Sequence, residues 1–322
     1  MGLDERASGR MSALYPPLQP FASGHLDVGD HHRIWWEAAG NPEGKPALFL
    51  HGGPGGGYHP DHRRLFDPDH YMIVLFDQRG CGRSLPHGEL QANTTQHLIH
   101  DIERLRESLD VKDWLVLGGS WGATLALAYA QKHRERVRAI VLRGVFTGRE
   151  CEVNWLYKDG ASRLYPDAWE RFIAPISPAE RHDLVGAYHR RLTGADIAMR
   201  MEAARAWCAW EAELLTLRPR PSATGATTSS ELALARIESH YFINHSFLDE
   251  GQIIRDAHML AGVPGVIVQG RFDMVTPAIS AWELSQAWPD ARLRIVPEAG
   301  HATSEPGILH ALVEATDSLR GR

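Results

Sequence analysis

Apolar and β-branched residues gather along this 322-residue chain in short runs, separated by stretches with helical spacing. The runs at 47–50, 71–76, 114–117, 139–142, 266–269 and 293–296 are four to six residues long. Segments of that length with little polar alternation predict buried parallel strands, covered on both faces. Their alternation with helical segments predicts an α/β fold, a mostly parallel doubly wound sheet. Residues 35–38 predict one further, antiparallel strand near the start, and 93–110 an amphipathic helix.

The pattern changes between about Gly148 and about Gly251. Strand-like runs stop there, and tryptophans and tyrosines accumulate on helical stretches at 195–217 and 231–244. Between these lies a Pro/Gly/Ser/Thr segment at 218–230, which predicts a mobile loop. A helical cap at 148–251, suited to substrate selection, is therefore expected to interrupt a core domain of residues 1–147 and 252–322. Residues 1–10 are polar and read as a disordered leader.

Composition narrows the function classes. A hydrophobic fraction of 43% and a charged fraction of 23% are those of a soluble globular protein. The formal net charge of −6, with no Lys/Arg-rich block, speaks against nucleic acid as a partner. No apolar run approaches the roughly 18 residues that span a bilayer, so no membrane association is expected. The N-terminus lacks the apolar core of a signal peptide. Three widely spaced cysteines, Cys81, Cys151 and Cys208, fit a reducing compartment, and a cytoplasmic location is expected. The sequence sets no oligomeric state.

Candidate chemistry begins at Gly118-Gly119-Ser120-Trp121-Gly122, which follows one of the predicted strands and opens a helix-forming run. This is the G-x-S-x-G pattern of a nucleophile elbow, where a tight strand-to-helix turn exposes the serine. A serine hydroxyl needs a base to take its proton and a carboxylate to orient that base. In doubly wound hydrolases the partners follow in the order acid, then histidine. Asp273 stands just beyond the run at 266–269, and His301, preceded by Gly300, just beyond the last. The amide of Trp121, next to the nucleophile, and that of Gly53 in the early loop Leu50-His51-Gly52-Gly53-Pro54-Gly55-Gly56-Gly57 are the candidate oxyanion donors.

Competing chemistries fit less well. The glycine-rich loop matches neither a Walker A motif nor a dinucleotide fingerprint. Among the 18 histidines no H-E-x-x-H or paired-cysteine spacing appears, so no metal is expected, and no cofactor. A carboxylate-nucleophile dehalogenase is disfavoured by Ser120, and a non-catalytic binding protein by the presence of all three triad residues.

Together the motifs resemble one family, the proline iminopeptidases of the α/β-hydrolase fold. The resemblance is carried by Leu26-Asp27-Val28-Gly29-Asp30, the loop His51 to Gly57, Asp77-Gln78-Arg79-Gly80-Cys81-Gly82-Arg83-Ser84, and the elbow. Trp207-Cys208-Ala209-Trp210-Glu211, Glu238-Ser239-His240-Tyr241-Phe242-Ile243-Asn244 and the segment from Gly270 to Pro277 complete it. It runs from about Leu14 to the C-terminus and departs at the Ser/Thr-rich stretch 222–230. The resemblance implies a serine aminopeptidase acting on peptides with a free N-terminal proline. It further implies that Glu211 and Glu238 hold the substrate amine, since paired carboxylates recognise an ammonium through charge-assisted hydrogen bonds. Glu211 follows Trp207 by four residues and Glu238 precedes Phe242 by four, so each shares a helix face with an aromatic. Trp121 and Phe146, with Met274 as a further candidate, are expected to box the proline ring. The competing enzyme reading is an esterase or amide hydrolase of the same fold, with the triad and without the amine site.

Overall fold

The computed structural model describes residues 14–218 and 227–321. The leader at 1–10 and most of the segment at 218–230 lie outside the described residues.

Eight strands form one sheet. They are β1 (Pro20–Gly29), β2 (His32–Gly40), β3 (Lys45–Leu50), β4 (Tyr71–Asp77), β5 (Trp114–Ser120), β6 (Val137–Val145), β7 (Gly265–Gly270) and β8 (Ala291–Val296), in the order β1-β2-β4-β3-β5-β6-β7-β8. β2 pairs antiparallel with β1 and β4, and every pairing from β4 to β8 is parallel. Each expected run lies within one of these strands. The strand that the runs did not announce is β1. Its exposure alternates residue by residue, as befits an edge strand with one face to water, so it carries no continuous apolar run.

Side chains on the central strands leave the sheet alternately, and that alternation builds two cores. Leu48, Val74, Val116, Ile140 and Ile267 join one cluster with helices α1 (Thr95–Ser108) and α2 (Trp121–Lys132). Phe49, Leu75, Leu117, Val141 and Val268 face the other way, against the C-terminal helix Pro306–Ser318. α2 sits mid-sheet with ten consecutive buried residues from Trp121 to Ala130, which explains its lack of a polar face.

Among the described residues only helices and turns lie between β6 and β7. They include α3 (Glu150–Tyr157), α4 (Ala161–Leu164), α5 (Pro166–Ile173), α6 (Leu184–Thr193), α7 (Ile197–Leu214), α8 (Ser229–Ile243) and α9 (Gln252–Arg255). Much of this segment has an apolar cluster of its own, with Tyr157, Phe172, Tyr188, Trp207 and Trp210 at its centre. α10 (Ala278–Ala287) then follows β7, and α11 is the C-terminal helix Pro306–Ser318. α8 starts where Thr228 and Glu231 form a reciprocal capping box, a strong local helix signal. The segment lies over the carboxyl ends of the parallel strands, where open α/β sheets place their ligand sites.

Candidate active site

Ser120 ends β5 and caps α2 in a left-handed conformation, φ 58° and ψ −125°. Such a backbone is unfavourable for a non-glycine residue and persists only where packing enforces it. Here the enforcement is close approach: a Cβ on Gly122 would stand 2.1 Å from the carbonyl oxygen of Leu50 on β3. With a glycine there, α2 seats directly behind the strand ends and the Ser120 side chain faces a chamber of about 300 Å³.

His301 and Asp273 come together as the spacing implied. His301 Nδ1 lies 2.8 Å from Asp273 Oδ2, and both side chains are buried. Asp273 also accepts from the amides of Val275 and Thr276 at 3.0 and 2.8 Å, from Thr276 Oγ1 at 3.0 Å and from Gln269 Nε2 at 3.1 Å. That network fixes the carboxylate before any substrate arrives. Gly144 makes the room: a Cβ there would meet His301 Cε1 at 2.8 Å and Asp273 Oδ2 at 3.2 Å.

The other ring nitrogen has a partner that sequence reasoning did not anticipate. Arg143 Nη1 lies 2.9 Å from His301 Nε2. A guanidinium only donates, so Nε2 must accept, which places the imidazole proton on Nδ1, donated to Asp273. Burial, with Arg143 adding its repulsion, holds the His301 pKa below its usual range against the pull of Asp273. Burial likewise pulls Arg143 down to about 10, still charged at neutral pH. A charged residue closing the apolar run at 139–142 was the signal available for it.

Gly52, Gly53 and Gly56 bring the early loop to the chamber wall, with Gly53 at φ 111°. Trp121 supplies the amide after Ser120, but its indole is fully buried, donating to Gln78 Oε1 at 2.9 Å and packing edge-on against Tyr241. Trp121 and Met274 are not among the chamber-lining side chains, whereas Phe146 is. The apolar wall is completed by Val153, Leu156, Leu234, Phe242 and Val275.

Glu211 on α7 and Glu238 on α8 both line this chamber. Trp207 Nε1 donates to Glu238 Oε2 at 2.7 Å, and the Tyr157 hydroxyl donates to Glu211 Oε1. Tyr157 lies flat on Trp207 with ring centroids 4.4 Å apart. Burial pushes Glu211 up to about 7. Burial and the neighbouring Glu211 carboxylate raise Glu238 well above the usual carboxylate range, and a hydrogen bond links the two carboxyls. The pair thus holds a proton between its members near neutral pH.

The family model describing the alpha/beta hydrolase fold matches residues 45–307. Among solved structures, an alpha/beta fold family hydrolase from Bacillus anthracis superposes with a TM-score of 0.64 at 19% identity, over 92% of this chain and 100% of that one. A proline iminopeptidase from Mycobacterium smegmatis gives a TM-score of 0.57 at 18% identity, over 93% and 99%. These establish the α/β-hydrolase fold. Relatives in sequence are more specific. The proline iminopeptidase of Xylella fastidiosa (strain Temecula1) is 54% identical over 96% of this chain and 100% of its own length. That of Arabidopsis thaliana is 49% identical over 95% and 82%. The chain belongs to the proline iminopeptidase family.

Proposed function

We propose that this protein is a prolyl aminopeptidase that removes an N-terminal proline from peptides by a serine mechanism. The observation that carries the reading is the carboxyl pair Glu211 and Glu238, buried in the wall of an apolar chamber that Ser120 and His301 also line. Their hydrogen bonds come from Tyr157, Trp207 and each other, so with one proton shared the pair keeps a single negative charge that no fixed cation offsets. An arriving ammonium supplies the missing countercharge and forms charge-assisted hydrogen bonds in a site of low polarity. The same walls suit a small ring, with Phe146 and Phe242 in edge contact at 5.9 Å.

Ser120 Oγ attacks the carbonyl of the first residue, and its proton moves to His301 Nε2 as Arg143 releases that nitrogen. Asp273 stabilises the resulting imidazolium. The amides of Gly53 and Trp121 receive the oxyanion, helped by the positive end of α2. His301 then protonates the leaving amine, and water releases proline from Ser120. In this reading residues 148–251 act as a cap selecting the substrate end, and residues 1–147 with 252–322 carry the chemistry. A cytoplasmic location is supported by three unpaired cysteines, Cys81, Cys151 and Cys208. Hydrolysis of a proline arylamide tests the mechanism: Ser120→Ala is expected to lose about 10⁴-fold or more in kcat. Full activity in that variant would end it.

A further inference from the structure

Two further cavities adjoin the chamber in series, each sharing wall residues with the next. The middle one, about 50 Å³, shares Gly52 and Arg143 with the chamber wall. The outer one, about 320 Å³, shares His62, Leu65 and Thr303 with the middle one. Its rim includes His59, Asp61 and Ser304, all exposed. A cavity holds a water once roughly 10–15 Å³ is open to it, so the middle cavity has room for water.

The lining suits water. Arg143 Nε is buried without a hydrogen-bond partner among the described residues, an orphan donor of the kind that ordered water satisfies. His62 accepts from the His59 amide through Nδ1 at 3.0 Å and stacks on Phe49, leaving Nε2 to carry its proton. Burial and the charge of Arg143 hold its pKa down to about 3, so the ring stays neutral.

We propose that these cavities form a rear water passage, which delivers the hydrolytic water to the acyl-enzyme while the chamber itself is filled by substrate. The proposal rests on the Ser120 acyl-enzyme reading above. Two residues of the passage's inner wall, Arg143 and Gly52, lie directly against His301 and Ser120. Arg143 Nη1 is 2.9 Å from His301 Nε2, and Gly52 backs onto Ser120 so closely that a Cβ would stand 3.1 Å from Ser120 Cβ. The chamber side offers mainly apolar wall, including Phe146, Leu156, Phe242 and Val275. In the step, the water oxygen bonds to the prolyl carbonyl carbon and a water proton passes to His301 Nε2. The bond from that carbon to Ser120 Oγ then breaks, and His301 returns the proton to Oγ. Proline leaves as the acid, and Ser120 is restored.

Two plugs test the passage: Thr303→Phe, in the wall shared by the middle and outer cavities, and Leu309→Trp, in the outer cavity and farther from His301. With a proline arylamide, kcat of Thr303→Phe is expected to fall about tenfold with KM falling in step, so that kcat/KM, which reports acylation, holds. Mass spectrometry of acid-quenched samples should then find Ser120 carrying a prolyl group, which the wild type does not accumulate. Leu309→Trp should shift both readouts the same way, and it carries the test should Thr303→Phe fail to fold. Wild-type kcat with no trapped acyl-enzyme in the folded plugs overturns the passage. So does a kcat/KM that falls in proportion to kcat, the sign of a disturbed His301. Activity surviving in Ser120→Ala would instead remove the acyl-enzyme on which the proposal stands.

Discussion

Glu238 carries its proton to higher pH in the folded chain than an unfolded glutamate does, because it is buried beside Glu211. The sign of the linkage follows. Stability from such a raised carboxyl is full below the unfolded pKa of about 4.3 and is lost as pH rises toward the folded value. Glu238→Gln should therefore raise Tm by about 2–6 °C at pH 8 and by less at pH 5, measured by scanning calorimetry. The same change should lower kcat/KM on a proline arylamide. Glu211, pushed up to about 7, sets the matching limb in catalysis. As pH falls through that range the pair becomes neutral and kcat/KM should drop, while the limb of His301 lies below its usual 6.5. Glu211→Gln should lose about 10- to 100-fold in kcat/KM, the value of a hydrogen bond to a charged group. It should also lose the limb near 7. Gly144→Ala is expected to cost more than 10-fold in kcat, since its methyl would stand 2.8 Å from His301 Cε1. Ser120, Asp273 and His301 were expected from motif and chain order and the two glutamates only from the family resemblance; Ser120, His301 and both glutamates line one chamber, with Asp273 bonded to His301. Arg143, Gly144 and Gln269 were not singled out. Their service is to a neighbour in space, and no spacing along the chain marks it.

The elements that carry the site are tied together by backbone. The Leu215 carbonyl, just past α7, accepts from the amides of His301 and Ala302 at 3.0 and 2.7 Å. One turn earlier, the same helix presents Glu211 to the chamber. Leu217 N donates to Glu305 Oε1 at 2.7 Å, anchoring this strut at the start of α11. Glu305→Ala should reduce kcat by about 3- to 10-fold with KM for a proline arylamide little changed, while Glu305→Gln, which keeps an acceptor, stays near wild type. Steady-state kinetics separates the two outcomes. Helices read well at this scale: 93–110 holds α1, and 195–217 and 231–244 bracket or overlap α7 and α8 within a few residues. Strand β1 escaped because its pattern is that of a half-exposed edge, and β8, expected as covered on both faces, exposes Arg292 and Arg294.

At the scale of the whole molecule, the parallel order of strands was implied by alternating elements, and the chain order of Ser120, Asp273 and His301 follows it. How the helices between β6 and β7 close on the sheet was not legible. The spacing puts Trp207 on one face with Glu211, yet Trp207 Nε1 bonds Glu238 on the next helix, and Tyr157 from α3 bonds Glu211. Three helices thus converge on two carboxyls, a packing outcome that 3.6-residue periodicity cannot specify. In the proposed function it is this convergence that turns a generic serine hydrolase site into one that reads a free amine. A comparison of wild-type hydrolysis of proline arylamide, alanine arylamide and N-acetylproline arylamide tests that reading most directly. Rapid cleavage of the first, slower cleavage of the second and none of the third is the expected result. Cleavage of the acetylated substrate at the rate of the free one would contradict it.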